Sequence, residues 1–287
     1  MRTLIIVLFI LLNFNNLFSG EYPLPEGIKF VFPKRLSIRA EWLVPAKASP
    51  VKTKNKINFD LDSKGEPWLG LEGKYLYNPL KRTIFQVDTG FEDFIFLSER
   101  EFIIATKDSL GFLTYAQGSP NFTFFPVLSL PKGEVRLSSG DEKRLFVLIF
   151  NPERGLSQVF LLQDLGAKGE ALKVFETKER LRDVCVAKDN LYLAMNNIII
   201  KIFLSTKRLE LFFRHANPLR EIECLEEDKI LYATSNRLGF VGKRNKIEFA
   251  QVLNPKIRLK DQDLYILLED NLGVIRIKEV GKLDTNF

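Results

Sequence analysis

Histidine, cysteine, methionine and tryptophan are scarce in this chain of 287 residues, which contains one, two, two and two of them, respectively. A single histidine, His215, rules out zinc sites that need two or three histidines and makes histidine-based lyase chemistry hard to assemble. The P-loop, the G-x-S-x-G nucleophile elbow and the H-E-x-x-H zinc motif are also absent from the sequence. Phosphate-cradling, serine-hydrolase and zincin functions therefore have no support.

The charge balance disfavours another class of function. The chain has 42 basic and 36 acidic residues, a net charge of +6, with both signs spread along its length. Nucleic-acid binding usually gathers lysine and arginine on one face, so this pattern argues against nucleic acid as the main partner. Apolar residues are plentiful: 46% are hydrophobic and 25 are phenylalanine, which favours a strand-rich globular protein.

The N-terminus has the pattern of an export signal. Met1-Arg2-Thr3 provides a basic start, Leu4 to Leu12 is an unbroken apolar run, and Ser19-Gly20 offers small residues for cleavage. The run is too short for a membrane helix, which needs about 20 apolar residues. We predict a signal peptide over residues 1–20 and a periplasmic or secreted protein. An uncleaved anchor is the alternative, because the position three residues before the cut is not small.

Residues 21–56 form a predicted N-terminal extension. Five prolines and a lysine-rich end, Lys47 to Lys56, indicate a basic solvated linker, although it could also contact an acidic partner or a membrane surface. Within the extension, Leu36 to Val44 alternates apolar and mostly polar residues with the period of a half-buried strand. A lone strand needs a sheet to join, so we expect this one to pair elsewhere in the chain.

From residue 57 onward the sequence repeats a strand, a turn and a second strand. Each copy has an apolar strand, an Asp or Asn, a Leu two positions later, a Gly and another strand. Asp or Asn stabilises the entry to a tight turn, and we expect the Gly to supply a positive φ angle. The clearest copies contain Asp108-Ser-Leu-Gly111, Asn236-Arg-Leu-Gly239 and Asp270-Asn-Leu-Gly273.

Weaker copies complete six hairpins with turns at positions 72, 108, 151, 196, 236 and 270, separated by 34 to 45 residues. A further strand precedes each hairpin and another follows it, which matches the roughly 40-residue period of a four-stranded blade. We therefore predict an all-β, six-bladed β-propeller of four-stranded antiparallel blades over residues 57–287. The last repeat lacks a good fourth strand, so Leu36 to Val44 is predicted to complete it and close the ring.

One segment resembles a known repeat. Asp62-Ser-Lys-Gly65-Glu-Pro-Trp68, followed by Tyr75-Leu-Tyr77, is similar to the D-x-x-G-x-x-W repeat of sensor-type and streptogramin-lyase-like β-propellers. The resemblance implies the propeller superfamily over about residues 57–278, without an individual family. That superfamily includes sensors, scaffolds, sugar binders, lactonases and lyases, so the resemblance implies a fold and leaves the activity open.

The two cysteines, Cys185 and Cys224, both lie in predicted strand interiors. An exported protein would allow them to oxidise, although two cysteines do not make a disulfide framework. Positions on neighbouring blades rarely bring their Cα atoms within the 7 Å limit for a bridge. We therefore expect two buried free thiols.

Candidate site residues are few. His215 follows a strand and is expected at the surface without a functional role, since a catalytic histidine needs a partner nucleophile or a metal. The densest carboxylate clusters are Glu226-Glu227-Asp228 and Asp261-Gln-Asp263. Both fall at the same turn of the repeat, which predicts a solvated rim in preference to a metal site. We assign no catalytic or metal-binding residue, leave binding residues unknown and expect no cofactor.

The sequence leaves competing functions open. The leading hypothesis is an exported, non-catalytic, monomeric propeller that binds another envelope or secreted protein, or an envelope component, through its loops. The alternative is a lactonase-like hydrolase or lyase with a carboxylate-based site in the central channel. A glycan-binding propeller would need aromatic side chains along one face, and Trp42, Trp68 and Tyr115 are too few to support it.

Overall fold

The described part of the chain forms five β-sheets. The structure, a computed structural model, describes residues 28–30, 40–45, 57–96, 102–115, 121–139, 144–163, 170–243, 245–269 and 272–281. Within these ranges the regular structure consists of 25 strands. The predicted signal peptide and most of the predicted extension lie outside the described residues.

Sheet I has eight strands in two antiparallel halves. The first half contains β3 (Ile57–Leu61), β4 (Pro67–Leu71), β5 (Tyr75–Asn78) and β6 (Thr83–Val87). The second half contains β7 (Asp93–Phe96), β8 (Phe102–Ala105), β9 (Ser109–Tyr115) and β10 (Asn121–Ser129). The halves join where β6 and β10 pair in parallel, with Gln86 opposite Asn121 and Val87 opposite Phe122.

The other four sheets have four or five antiparallel strands each. Sheet II contains β11 (Glu134–Ser139), β12 (Leu145–Asn151), β13 (Leu156–Leu162) and β14 (Ala171–Thr177). Sheet III contains β15 (Leu181–Ala187), β16 (Asn190–Met195), β17 (Ile198–Phe203) and β18 (Leu209–Arg214). Sheet IV contains β19 (Leu219–Glu226), β20 (Lys229–Thr234), β21 (Arg237–Gly242), β22 (Lys246–Gln251) and, on its outer edge, β1 (Lys29–Phe30). Sheet V contains β23 (Pro255–Lys260), β24 (Asp263–Leu268), β25 (Gly273–Ile277) and β2 (Ala40–Val44).

The sheets surround a central axis. We call β3, β7, β11, β15, β19 and β23 the inner strands; each contacts the next in this order, and β23 contacts β3. Apolar side chains fill the gaps between facing sheets, and sheet V packs on sheet I through a cluster that includes Phe59, Leu267 and Val274. The first and last sheets therefore share one core, which makes the arrangement a β-propeller with four-stranded antiparallel blades, as predicted.

The predicted count of six separate blades does not form among the described residues. They form four sheets of four or five strands and one sheet of eight. The cause is the parallel pairing of β6 with β10, which joins the outer edges of two successive hairpin units. Period-two patterns mark strands and turns within a unit, but they do not specify pairing between the outer strands of neighbouring units.

The predicted closure is confirmed for Ala40–Val44, whereas residues 36–39 lie outside the described part of the chain. Strand β2 pairs antiparallel with β25, placing Ala40 opposite Ile277 and Trp42 opposite Ile275. Arg276 Nε donates to Glu41 Oε1 at 2.8 Å across this pairing. An early segment of the chain thus completes the sheet formed by its late strands, so the outer edge of β25 is covered.

The predicted hairpins form, but glycine has a different role in them. Gly111 and Gly239 lie within strands β9 and β21 and are not among the positive-φ residues of the described chain. A Cβ atom at Gly111 would lie 2.0 Å from the carbonyl oxygen of Phe125, and one at Gly239 would lie 2.2 Å from the Tyr232 ring. Glycine is required here because a neighbouring strand or ring approaches the backbone closely.

Candidate functional site

Carboxylates on the inner strands hold neighbouring inner strands together. Asp60 accepts the Phe96 backbone N–H at 2.8 Å, and Asp93 accepts the Leu137 N–H at 2.9 Å. The same contact recurs in the second half of the ring, where Asp183 accepts the Ile222 N–H at 2.9 Å and Glu221 accepts the Ile257 N–H at 2.8 Å. An inner strand leaves N–H groups unpaired along its free edge, and these four side chains satisfy them. Their first role is therefore structural.

Cationic side chains lie among these acids in the central channel. Arg258 Nη1 donates to Glu223 Oε1 at 3.2 Å, and Arg258 Nε lies 3.7 Å from Asp60 Oδ1. Glu221 Oε1 lies 3.4 Å from Lys256 Nζ and 3.6 Å from Arg136 Nη1. The channel is thus lined by charges of both signs from inner strands that are remote in sequence.

The pKa values of the carboxyl groups in the channel are shifted in different directions. Burial raises the pKa of Asp60 and of Asp183 to about 6, against the attraction of nearby arginines. Burial also raises the pKa of Glu223, to about 8, because the opposing effect of Arg258 is offset by neighbouring carboxylates. For Glu221 burial is outweighed by Lys256 and the arginines, and its pKa falls to about 2. At neutral pH one channel glutamate is protonated and another is ionised.

Four arginines, which we call the arginine mouth, converge at the end of the channel where the inner strands begin. Arg136 and Arg220 lie early in β11 and β19, and Arg180 and Arg182 flank the first residue of β15. Burial lowers the pKa of Arg182, and nearby Arg180 and Arg136 lower it further. Arg180 donates to Glu134 Oε2 at 2.6 Å, whereas Arg182 has no acidic side-chain atom within 4 Å among the described residues. The other three mouth arginines each have a carboxylate within 4 Å, at Glu221, Glu134 and Glu269, so Arg182 differs from them in this respect.

The arginine mouth is accessible from solvent. The side chains of Arg136, Arg180 and Arg220 are 34%, 45% and 37% exposed, respectively. Arg180 stacks over the Phe150 ring at 4.6 Å, and Arg220 Nη1 donates to Asn254 Oδ1 at 2.5 Å. These contacts hold the guanidinium groups in place while leaving part of each one open to a ligand.

The predicted solvated rim is wrong for Asp228. The side chain is buried beside a cavity of about 780 Å³ between sheets III and IV. Lys201 donates to Asp228 Oδ1 at 2.6 Å, Tyr192 Oη donates to the same atom at 2.9 Å, and Lys243 Nζ lies 2.7 Å from Oδ2. Burial raises the pKa of Asp228, but these hydrogen bonds outweigh it and the net change is a lowering. Asp228 lies in the turn between β19 and β20, where its backbone φ is 58°.

The other predicted rim carboxylates are paired or exposed. Glu226 Oε2 lies 3.0 Å from Lys229 Nζ, and Glu227 Oε1 accepts from Asn190 Nδ2 at 2.9 Å. Asp261 is exposed, and Asp263 accepts the Glu279 backbone N–H at 2.9 Å. Across the described ranges, no three His, Cys, Asp or Glu side chains are grouped to hold a metal ion.

His215 is buried, so its predicted surface position is wrong. His215 Nδ1 lies 2.9 Å from the Asn217 backbone nitrogen, and Nε2 lies 3.0 Å from Glu248 Oε1. The ring also lies 5.3 Å from that of Tyr232. The loop after β18 folds back over the sheet and covers the histidine, away from the channel carboxylates.

The prediction of free thiols is wrong as well. Cys185 on β15 and Cys224 on β19 form a disulfide, with their Cα atoms 5.5 Å apart. Inner strands converge toward the axis, so residues on neighbouring inner strands approach more closely than residues elsewhere in their sheets. The disulfide lies among the inner-strand residues and ties sheet III to sheet IV.

The channel residues were not identified as site residues from the sequence. A signal was present, because Asp60, Asp183 and Glu223 each lie directly between two apolar residues or beside one within a strand. A charged residue within such a strand indicates a buried polar contact. The sequence pattern does not reveal which charges would meet, since Asp60 and Arg258 are separated by most of the chain.

The chain is similar to known proteins in structure. No family model matches the chain, and no curated protein matches it in sequence. In the part of the chain that the structure describes, no helix is long and apolar enough to cross a membrane.

Three of the similar solved structures illustrate the likeness. A luciferin-regenerating enzyme has a TM-score of 0.63 and 12% identity, over 85% of this chain and 96% of that one. The calcium-binding protein regucalcin from Agrobacterium tumefaciens has a TM-score of 0.62 and 13% identity, over 81% and 92% of the two chains. YCF48 bound to a D1 peptide has a TM-score of 0.54 and 12% identity, over 77% and 76%. At these identities the likeness shows a β-propeller fold and no more.

Proposed function

We propose that this chain is an exported, non-catalytic β-propeller whose arginine mouth binds an acidic protein or another acidic envelope component. The observation that carries the proposal is the position of Arg182, which lies beside three other arginines and lacks an acidic partner within 4 Å among the described residues. Clustered like charges cost free energy, and an acidic ligand would relieve that cost. A similar propeller, YCF48, is known with a bound peptide.

The proposed domain organisation follows from the sequence. A signal peptide over residues 1–20 would direct export, and residues 21–56 would supply the closing strand and a basic linker. Residues 57–287 would form the propeller, and the cyclic contacts of the inner strands support its closure into one ring.

The geometry favours recognition of carboxylates. A guanidinium group can donate two parallel hydrogen bonds to a carboxylate, and several such groups on rigid strands would fix the orientation of an acidic segment. The hydrogen bond of Arg180 to Glu134 and the disulfide between β15 and β19 limit movement of the mouth. Preorganised cations lose less conformational entropy when the ligand binds.

Affinity capture from the native envelope fraction tests this function. Immobilised wild-type chain should retain a reproducible acidic partner, and added salt should release it because the attraction is electrostatic. Arg182→Glu should lose the partner, whereas Arg154→Glu, an exposed substitution of equal charge on another turn, should retain it. Failure to retain a reproducible partner, or equal retention by Arg182→Glu, would contradict the proposal.

The alternative is a lactonase-like hydrolase or lyase in the channel, and one observation favours it. Glu223 and Glu221 have pKa values of about 8 and about 2, and such a separation is typical of a general acid and its ionised partner. A panel of lactones, assayed with and without added divalent cations, tests this reading. Turnover that Glu223→Gln abolishes would support it; absence of turnover under both conditions would count against it.

A further inference from the structure

A second cavity, of about 650 Å³, lies between the two halves of sheet I and is separate from the channel. Its walls are Trp68, Phe85, Phe96, Phe102 and Phe122, and Leu113 contributes to its floor. We call this cavity the aromatic cleft. The Phe96 and Phe102 ring centroids are 4.1 Å apart, and Trp68 lies 5.5 Å from each of them.

The aromatic rings do not fill the space that they surround. The volume of the cleft falls within the range of small-molecule pockets, roughly 300 to 1,000 Å³. The ring centroids are 4 to 6 Å apart, a spacing that suits a ligand whose own aromatic ring would join the cluster.

The tight turn before β4 fixes one side of the rim. Asp62 Oδ1 accepts the backbone N–H groups of Lys64 and Glu66, each at 2.9 Å, and Asp62 Oδ2 accepts from Trp68 Nε1 at 3.2 Å. Gly65 permits this turn because its φ is 76°. These contacts explain the D-x-x-G-x-x-W motif: the aspartate closes the turn and orients the tryptophan.

The charged side chains at the rim differ in their partners. The Asp62 carboxylate accepts hydrogen bonds from the turn backbone and from Trp68 Nε1, and Lys81 Nζ lies 2.5 Å from Glu66 Oε2. Lys64 is exposed and has no carboxylate within 4 Å among the described residues. An apolar ring would enter the cleft, and an anionic group on it would meet the Lys64 ammonium at the entrance.

We propose that the aromatic cleft binds a small aromatic anion, with its ring system against Trp68 and the four phenylalanines and its acidic group at Lys64. This site is independent of the arginine mouth. The class of ligand is set by the two features that the cleft combines, aromatic walls and an exposed lysine, Lys64, at the rim.

The test uses 2-naphthoate as the probe and uncharged 2-naphthamide as its isostere. Trp42→Phe leaves Trp68 as the only tryptophan, so its fluorescence reports on the cleft, and calorimetry on the wild-type chain checks the affinity. We expect saturable binding of 2-naphthoate with a change in Trp68 emission. Lys64→Glu should weaken the binding of 2-naphthoate several-fold and leave the binding of 2-naphthamide unchanged. Phe96→Leu should weaken the binding of both probes.

Matched controls lie outside the cleft. Lys132→Glu changes an exposed lysine in the loop before β11, and Phe125→Leu changes an exposed phenylalanine on β10; neither should alter binding. If Phe96→Leu fails to fold, as judged by circular dichroism, Phe85→Leu replaces it. The proposal is overturned if 2-naphthoate does not bind saturably, if Phe125→Leu weakens it as much as Phe96→Leu, or if Lys64→Glu affects both probes equally.

Discussion

Glu223 and Arg258 face each other across neighbouring inner strands, with Glu223 Oε1 3.2 Å from Arg258 Nη1. A nearby arginine alone would lower the pKa of a carboxyl group, yet burial and the carboxylates Asp183 and Glu221 raise the pKa of Glu223 to about 8. Arg258 is shared among several acids, so its attraction is not available to Glu223 alone. The folded chain therefore favours the protonated form of Glu223.

The raised pKa of Glu223 predicts that the stability of the chain depends on pH. The folded-state pKa of Glu223 lies above its ordinary value of 4.5, so between about 4.5 and 8 the folded chain binds more protons than the unfolded chain. Its contribution to the free energy of unfolding must fall as pH rises through that window. Glu223→Gln removes this loss and should be more stable than wild type at pH 9 by a few kcal/mol, since each pKa unit corresponds to about 1.4 kcal/mol.

Urea denaturation at pH 5 and pH 9 measures the effect. The difference between Glu223→Gln and wild type should grow with pH. Glu226→Gln is the matched control, because its side chain is 54% exposed and pairs with Lys229 outside the channel. A Glu223→Gln difference that is the same at both pH values would show that Glu223 does not hold the proton.

The disulfide predicts a loss of stability on reduction. Cys185 and Cys224 are 39 residues apart, and a loop of this size corresponds to about 4 kcal/mol of chain entropy in the unfolded state. The Cys185→Ser/Cys224→Ser variant should unfold at lower urea concentration than oxidised wild type and should not respond to reductant. Denaturation with and without dithiothreitol measures both effects, and an oxidised wild type that is no more stable than the double variant would contradict the prediction.

Gly239 predicts a steric effect at one hairpin. A Cβ atom there would lie 2.2 Å from the Tyr232 ring, which is itself fully buried. Gly239→Ala should therefore lower the free energy of unfolding by about 1 to 3 kcal/mol. Gly90→Ala is the control, since its Cβ would lie an ordinary 3.7 Å from the Gly73 carbonyl oxygen. Thermal or urea denaturation that ranks the two variants equally would refute the steric argument.

Local features of this fold could be predicted from the sequence. The hairpin turns near residues 108 and 236 follow from an Asp or Asn between apolar strands, and Ala40–Val44 follows from its alternation and from an incomplete last repeat. Each of these depends on neighbouring residues or on counting strands. For that reason the fold class and the closing strand could be predicted from the sequence.

Contacts between remote segments could not be predicted in the same way. The Cys185–Cys224 disulfide and the Asp60–Phe96 contact depend on how closely the inner strands converge, which no local pattern encodes. The position of His215 after a strand predicts a surface side chain, but the ring is buried and its Nε2 lies 3.0 Å from Glu248 Oε1. The arginine mouth likewise assembles from three inner-strand regions, each containing only one or two arginines.

Removal of the closing strand should lower the stability of the chain and cause it to self-associate. Deleting residues 36–45 would expose the backbone of β25 along the edge now paired with Ala40–Val44 and would break the Glu41–Arg276 contact. An uncovered edge recruits other strands, so the deleted chain should be less stable and should self-associate. Size-exclusion chromatography and urea denaturation measure these changes. A peptide spanning residues 36–45, added in trans, should restore the monomer, whereas a scrambled peptide should not. A deleted chain that stays monomeric with unchanged stability would show that the ring does not depend on this strand.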